Sequence, residues 1–141
     1  MRTIYKTTAF IEALLDHVNE KITCFYEDAP TEAAFPFGVI SGVFVSDLDS
    51  GDALNFYISV YTDEKKPGAT IELEKLCDTL RAYLSRAVIR REGAFSSHIG
   101  FDNQRGVHEA EFDLCHRRLT LTARIFYNLT GGITDEAQKP N

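Results

Sequence analysis

The sequence contains no tryptophan, one methionine and only three cysteines in 141 residues. Cys24, Cys77 and Cys115 are odd in number and widely spaced, unlike the disulfide framework of a small secreted domain. The chain has no apolar run long enough to span a bilayer, and its first residues lack the apolar core of a signal peptide. These absences predict a protein of the reducing cytoplasm with no membrane partner.

An excess of positive charge is also missing. The chain has 15 Lys and Arg against 21 Asp and Glu, a formal net charge of -6. Affinity for nucleic acid comes largely from cations that displace counterions, so a sequence-specific nucleic-acid partner is disfavoured. Hydrophobic residues make up 44% of the chain and charged residues 26%, which is typical of a globular domain. We expect a single domain over residues 1–130 and a flexible polar tail over 131–141.

Hydrophobic spacing predicts two helices. A short amphipathic helix covers residues 10–18, with its N-cap at Thr7 or Thr8. A longer helix has its N-cap at Thr70 and ends before Gly93. Its apolar stripe is formed by Leu73, Leu76, Cys77, Leu80, Tyr83, Leu84 and Ala87. Its solvated face is predicted to carry Arg81, Arg86, Arg90 and Arg91.

Alternating apolar residues predict the strands of an α+β fold. The predicted strands cover residues 22–26, 37–45, 54–61, 95–101 and 119–127, with turns at 46–52 and 103–106. Residues 107–118 fit an extended arm with a polar side, and Gly38 and Gly42 indicate a bulge or a close backbone approach. This order predicts a mostly antiparallel sheet with the N-terminal helix and the long helix packed on one face.

Candidate catalytic and metal-binding groups are few. Cys115 is followed by His116, and an imidazole beside a cysteine can activate its thiol. Adjacent residues of a strand point to opposite faces, however, so we predict an inert cysteine and an exposed histidine. His98 and His108 could meet across a hairpin as metal ligands, although two partly exposed strand residues are favoured. The acidic turn 47–52 lacks the glycine position of a calcium loop. We therefore predict no catalytic residue, no metal and no cofactor, and a protein that is not an enzyme.

The sequence is rich in aromatic residues, with ten Phe and six Tyr. Tyr57 and Tyr61 project from the face of their strand opposite its apolar residues. Exposed aromatic side chains suit protein interfaces, because they bury a large area at little cost in rotamer entropy. The alternative is a sheet covered on both faces within the monomer. Together with the aromatic residues of the loop at 34–37, the two tyrosines make four candidate interface residues: Phe35, Phe37, Tyr57 and Tyr61.

The order of these segments resembles a known family. The loop AFPF at residues 34–37 is followed by the strand FYISVY at 56–61, the helix LEKLCDTLRAYL at 73–84 and the strand LTLTARI at 119–125. Together with the N-terminal helix, this pattern is similar to the tail-terminator or tail-completion proteins of long-tailed bacteriophages. The resemblance covers residues 8–127 as an order of elements, so no residue's role is transferred from the family.

The resemblance implies a non-enzymatic subunit of the virion tail, which is made in the host cytoplasm during assembly. Such a subunit forms a ring, commonly a hexamer, that terminates the tail tube. Its partners are the tail-tube protein and the head-tail connector protein. The alternative is a small cytoplasmic enzyme or ligand-binding α+β domain that uses His98, His108, Cys115 or His116 in a cleft. The oligomeric state of the protein separates the two hypotheses.

Overall fold

Two helices and six strands make up the described part of the computed structural model, which comprises residues 6–48, 51–63, 65–109 and 114–127. The predicted tail at 131–141 lies outside these residues. The elements in chain order are α1 (Lys6–Asn19), β1 (Cys24–Tyr26), β2 (Phe37–Leu48), β3 (Gly51–Tyr61), α2 (Ala69–Leu84), β4 (Val88–Arg91), β5 (Phe95–Glu109) and β6 (Leu114–Tyr127).

The strands form one mixed sheet with the order β1-β2-β3-β6-β5-β4. The short β1 runs parallel to β2, and the other neighbouring pairs are antiparallel. The predicted α+β class is therefore confirmed in its broad form. The sheet is mixed because the loop between β1 and β2 brings the chain back to the level of Cys24 before β2 begins. Cys24 therefore pairs with Gly38, and the two strands run in the same direction.

The core forms where one face of the sheet meets both helices. Apolar residues alternate along β3 and β6, so that every second side chain over residues 54–60 and 119–125 points into the core. The buried cluster contains Leu54, Phe56, Ile58 and Val60 of β3, Leu119, Leu121, Ala123 and Ile125 of β6, Phe10, Leu14 and Val18 of α1, and Leu73, Cys77, Leu80 and Leu84 of α2. The intervening residues of the strands point away from this cluster, on what we call the second face.

Both predicted helix starts are wrong. Because α1 already includes Lys6, Thr7 and Thr8 lie within the helix and not at its N-cap. Helix α2 begins at Ala69, one residue before the predicted cap Thr70. Its N-cap is Gly68, which has a φ of 77° and offers no side-chain hydrogen bond. A left-handed turn that glycine adopts easily replaces the expected hydroxyl cap.

The long helix also ends earlier than the apolar stripe predicts. Its last residue is Leu84, and the chain reverses through Arg86, which has a φ of 63°. Arg90 and Arg91 therefore lie on β4 and not on a helix face, and the prediction for them is wrong. The β-branched pair Val88 and Ile89 favours the strand, and its pairing with β5 decides between the two structures.

The predicted turn at 103–106 is absent, because β5 continues through it to Glu109. Asn103 pairs with Thr120 and Gly106 with Arg117, so the polar residues remain in the ladder with β6. A bulge between Phe101 and Asn103 takes up the irregularity. The extended arm is confirmed over 107–109 and 114–118, and residues 110–113 lie outside the described part.

The β2–β3 hairpin and its bulge are confirmed, but the predicted turn at 46–52 is wrong, because residues 46–48 and 51–52 are paired strand residues. The strands pair from Phe37 with Tyr61 to Leu48 with Gly51, and the register shifts between Ser41 and Phe44. Gly42 lies in this bulge with a φ of 64°, a backbone conformation that residues with a Cβ atom rarely adopt. A Cβ atom on Gly42 would overlap the ring of Tyr57. Glycine therefore allows both the backbone bend and the position of Tyr57.

Candidate interaction surface

Five aromatic rings lie together at one end of the sheet, and we call them the aromatic surface. Its members are Phe25, Phe35, Phe37, Tyr61 and His116. The ring centroids are 5.4 Å apart between Phe35 and Phe37, 5.1 Å between Phe37 and Tyr61, and 4.5 Å between Tyr61 and His116. Phe25 meets Phe37 edge to face at 6.0 Å. These separations are those of favourable aromatic pairs, so the row is a packed unit.

Strand register and one loop assemble this surface. Phe37 faces Tyr61 in the β2–β3 pairing, so the two rings lie side by side on the second face. The loop after β1 brings Phe35 beside them, with the peptide bond before Pro36 in the cis form. The amide of Glu27 donates to the carbonyl of Ile40 at 2.8 Å, which anchors the start of that loop to β2.

A shallow groove of about 270 Å³ runs along the aromatic surface. Phe35, Phe37 and Tyr61 line it together with Val39, and Glu27 and Asp28 supply its acidic rim. Phe35 is 45% exposed, the largest exposed fraction that the structure gives for any ring of the surface. An apolar floor with a charged rim is the arrangement found in protein interfaces.

The structure brings together three of the predicted interface residues and separates the fourth. Phe35, Phe37 and Tyr61 belong to the aromatic surface. Tyr57 lies on the same face but under the guanidinium of Arg118, 4.8 Å from its ring. Tyr57 and Tyr61 are half-buried by these neighbours, which lies between the predicted exposure and the alternative of a covered face.

Arginines dominate the rest of the second face. Arg118 pairs across the sheet with Arg105, and Arg124 pairs with His98. Asp102, in the β5 bulge, places a carboxylate on this face. It accepts a hydrogen bond from the Thr122 hydroxyl at 2.7 Å. In a chain of net charge -6, a face this basic means that charge is segregated over the molecule. The sequence signal for this face is the position of Arg118 and Arg124 between the apolar residues of β6.

His116 is buried, so the prediction of an exposed histidine is wrong. Its exposed fraction is 1%, because the ring of Tyr61 covers it. The side chain of its neighbour Cys115 lies outside the described part. His98 pairs with Arg124 and His108 with Cys115 within the same two strands. His98 and His108 therefore lie far apart along β5 and do not face each other across a hairpin.

The described thiols are poor nucleophiles. Burial raises the pKa of Cys24 to about 12, and burial followed by the nearby Glu74 carboxylate raises the pKa of Cys77 to about 12. A thiol must ionise to attack or to bind a metal, so both groups are unreactive near neutral pH. Within the described residues, no three His, Cys, Asp or Glu side chains are grouped as metal ligands. Over the same residues, no helix is long and apolar enough to cross a membrane.

Comparisons with known proteins identify a shared fold. No protein-family model and no curated protein matches the sequence. Among solved structures, the chain is similar to one from the virion of a native gene transfer agent particle. The TM-score is 0.55 and the sequence identity 17%, over 80% of this chain and 84% of the other. At this sequence identity, the match shows a shared fold and nothing more.

Proposed function

We propose that this protein is a structural subunit of a phage-like virion. More specifically, it is a tail terminator: a ring, commonly hexameric, that ends the tail tube and joins it to the head connector. It is localised to the virion tail and assembles in the host cytoplasm. The observation that carries the proposal is the fold shared with a chain of a gene transfer agent virion over 80% of the present chain.

The surface of the molecule supports a role in assembly. The aromatic surface places Phe35 at the outside of a packed row of rings, where it can be buried by a partner at little entropic cost. The arginines of the second face add a basic patch beside it, represented by Arg105 and Arg118. An apolar anchor beside a charged patch favours a protein partner, with charge setting its orientation.

A non-enzymatic role accords with the positions of the chemically reactive groups. The imidazole of His116 is packed against Tyr61, and His98 stands across the strand pair from Arg124. The thiols of Cys24 and Cys77 are held neutral by burial. Catalysis by cysteine or histidine needs a base within reach of an accessible nucleophile, an arrangement that these residues do not make with one another.

The virion role can be tested without knowledge of the exact position in the particle. Particles purified from the producing strain are digested and analysed by mass spectrometry, and antibody against this chain is located on them by immunogold electron microscopy. We expect the protein in stoichiometric amounts and the gold at the junction of head and tail. Particles free of the protein would refute the virion role, and label elsewhere on the particle would refute the terminator role alone.

The terminator role is tested with polymerising tail tubes. Purified protein is mixed with the tail-tube protein, and tube lengths are measured by electron microscopy. We expect capping at one end and arrested growth, with Phe35→Asp weakening both. Ile71→Asp is the matched control, since Ile71 is 60% exposed on α2 and lies outside the aromatic surface. Tube lengths that do not respond to the wild-type protein would contradict the assignment.

A further inference from the structure

Both edges of the sheet contain strand segments that pair on one side only among the described residues. Strand β1 pairs with residues 38–40 of β2, and leaves residues 41–48 without a neighbour on that side. At the other edge, β4 pairs with β5 alone. The peptide groups of such an edge can bond to another strand, and proteins often protect edges with lysine or proline. Residues 41–48 contain neither, and the bulge of this segment lies between Ser41 and Phe44, so that residues 46–48 are regular strand.

The two edges lie at the same level of the sheet. Successive pairings lead from Ser46 to Ala53, Arg124, His98 and finally Val88. Ser46 and Val88 therefore mark the same height on opposite edges and share the second face. Because every step from β2 to β4 is antiparallel and the number of steps is even, β2 and β4 run in the same direction. Four strand spacings separate them, about 19 Å.

The side chains at these edges are complementary. Phe44 and Val88 are exposed apolar residues, with exposed fractions of 63% and 57%. If the edges of two copies met at this level, Phe44 would lie diagonally across from Val88 on the second face, within reach of an aromatic ring. On the other face, Asp47 is level with Ile89 and thus diagonal to Arg91, whose contact with Asp16 in its own subunit is a 3.7 Å ion pair between exposed side chains. One apolar and one charged contact would accompany the backbone pairing.

We propose that β4 of one copy pairs in parallel with the free edge of β2 in the next copy, starting with Val88 opposite Ser46. The sheet then continues from subunit to subunit. Because the two edges are different surfaces, the contact is head-to-tail, and such contacts close into a ring when the rotation between copies allows it. This proposal assigns the surfaces that join the subunits. That the chain of subunits closes into a ring rests on the proposed function.

Cysteine cross-linking tests the pairing directly. Ser46→Cys and Val88→Cys are prepared separately in a Cys115→Ser background, mixed at high concentration and oxidised. The Cα atoms of a disulfide are usually about 4.4–6.8 Å apart, which neighbouring strands meet and the two edges of one sheet do not. We expect a disulfide-linked dimer from the mixture and monomers from each variant alone. A mixture of Thr8→Cys and Val88→Cys is the control for disulfides formed by random collision, because Thr8 lies at an exposed position of α1.

Each outcome decides the proposal. A dimer from the mixture alone, and a ladder of oligomers from the variant carrying both cysteines, would support the pairing. A dimer of Ser46→Cys with itself would indicate a two-fold contact and overturn it, as would a mixture no more cross-linked than the Thr8→Cys control. Wild-type tube capping is measured separately. Capping without cross-linking would refute this pairing and leave the terminator function standing, whereas cross-linking without capping would refute the function alone.

Discussion

Arg117 on β6 reaches Glu74 on α2 and ties the long helix to the centre of the sheet. The Nε atom donates to Oε2 of Glu74 at 2.9 Å, and the guanidinium forms an ion pair with the same oxygen at 2.8 Å. Gln104 of β5 donates to Oε1 of the same carboxylate at 3.2 Å. The Arg117 side chain is only 19% exposed, so its pairing with Glu74 contributes more to the stability of the fold than the ion pair of a surface arginine does.

We expect Arg117→Met to lower the free energy of unfolding by about 1–2 kcal/mol, because it removes a part-buried charged hydrogen bond while keeping the aliphatic stem. Arg91→Met is the matched control. Its ion pair with Asp16 is 3.7 Å long between exposed side chains, and such pairs contribute about 0–1 kcal/mol. Urea titration of both variants measures the difference. Equal losses would contradict a special role for Arg117.

The bulge in β2 predicts that Gly42→Ala is more destabilising than Gly68→Ala. Both glycines have positive φ, so each substitution costs about 1 kcal/mol of backbone strain. A Cβ on Gly42 also overlaps the ring of Tyr57, whereas the space around Gly68 is open. We expect the overlap to add about 1–3 kcal/mol. Thermal denaturation of the two variants provides the comparison, and indistinguishable melting temperatures would refute the close contact with Tyr57.

The buried thiols predict a loss of stability at alkaline pH. The pKa of Cys24 and that of Cys77 rise from 9.0 to about 12 on folding, mainly because burial penalises the thiolate. The thiols ionise first in the unfolded chain, so their contribution is complete below pH 9 and declines towards pH 12. Each thiol contributes at most about 1.4 kcal/mol per pH unit. Tyr127, whose pKa burial raises from 10.0 to about 12, adds to the decline above pH 10.

Urea midpoints between pH 7 and pH 11 measure this slope. Cys77→Ala weakens the core at every pH, but we expect the alkaline slope to become shallower in this variant than in the parent. The comparison of slopes separates ionisation from the loss of packing. A slope that Cys77→Ala and Cys24→Ala both leave unchanged would show that these thiols are not the groups responsible.

Within the aromatic surface, we expect Phe37 to contribute mainly to the stability of the fold and Phe35 mainly to partner binding. Phe37 contacts Phe25, Phe35 and Tyr61, so Phe37→Ala should cost about 2 kcal/mol of stability. Phe35 is 45% exposed, and Phe35→Ala should cost less than about 1 kcal/mol while weakening partner binding. Calorimetric unfolding measures the first effect, and cosedimentation with the tail-tube protein, the proposed partner, measures the second. Undiminished cosedimentation of Phe35→Ala would remove Phe35 from the interface.

Sequence patterns predicted the parts of the fold that depend on local periodicity. The alternation of Leu119 and Leu121 with polar residues identified the buried face of β6, and that of Phe56 and Ile58 identified the buried face of β3. The stripe through Leu73 and Leu80 likewise located α2. In these segments the hydrophobic period and the tertiary contacts favour the same structure.

The errors arose where pairing with a distant strand overrides local preference. Residues 103–106 have the composition of a turn, yet they remain extended because β6 supplies a partner for each of them. Val88 and Ile89 follow directly after the apolar stripe that ends at Ala87, and they become strand because β5 lies beside them. The burial of His116 likewise depends on Tyr61, which is distant in sequence and adjacent only through the β3–β6 register.

The central position of β6 determines when the protein can fold during synthesis. β6 separates β3 from β5, so the two halves of the sheet have no common neighbour until residues 114–127 have been translated. A nascent chain that stops earlier presents the β2–β3 hairpin and the β4–β5 hairpin with their inner edges unpaired. Completion of the sheet is therefore a late, long-range step, and ribosome stalling just before β6 would favour aggregation more than stalling within α2.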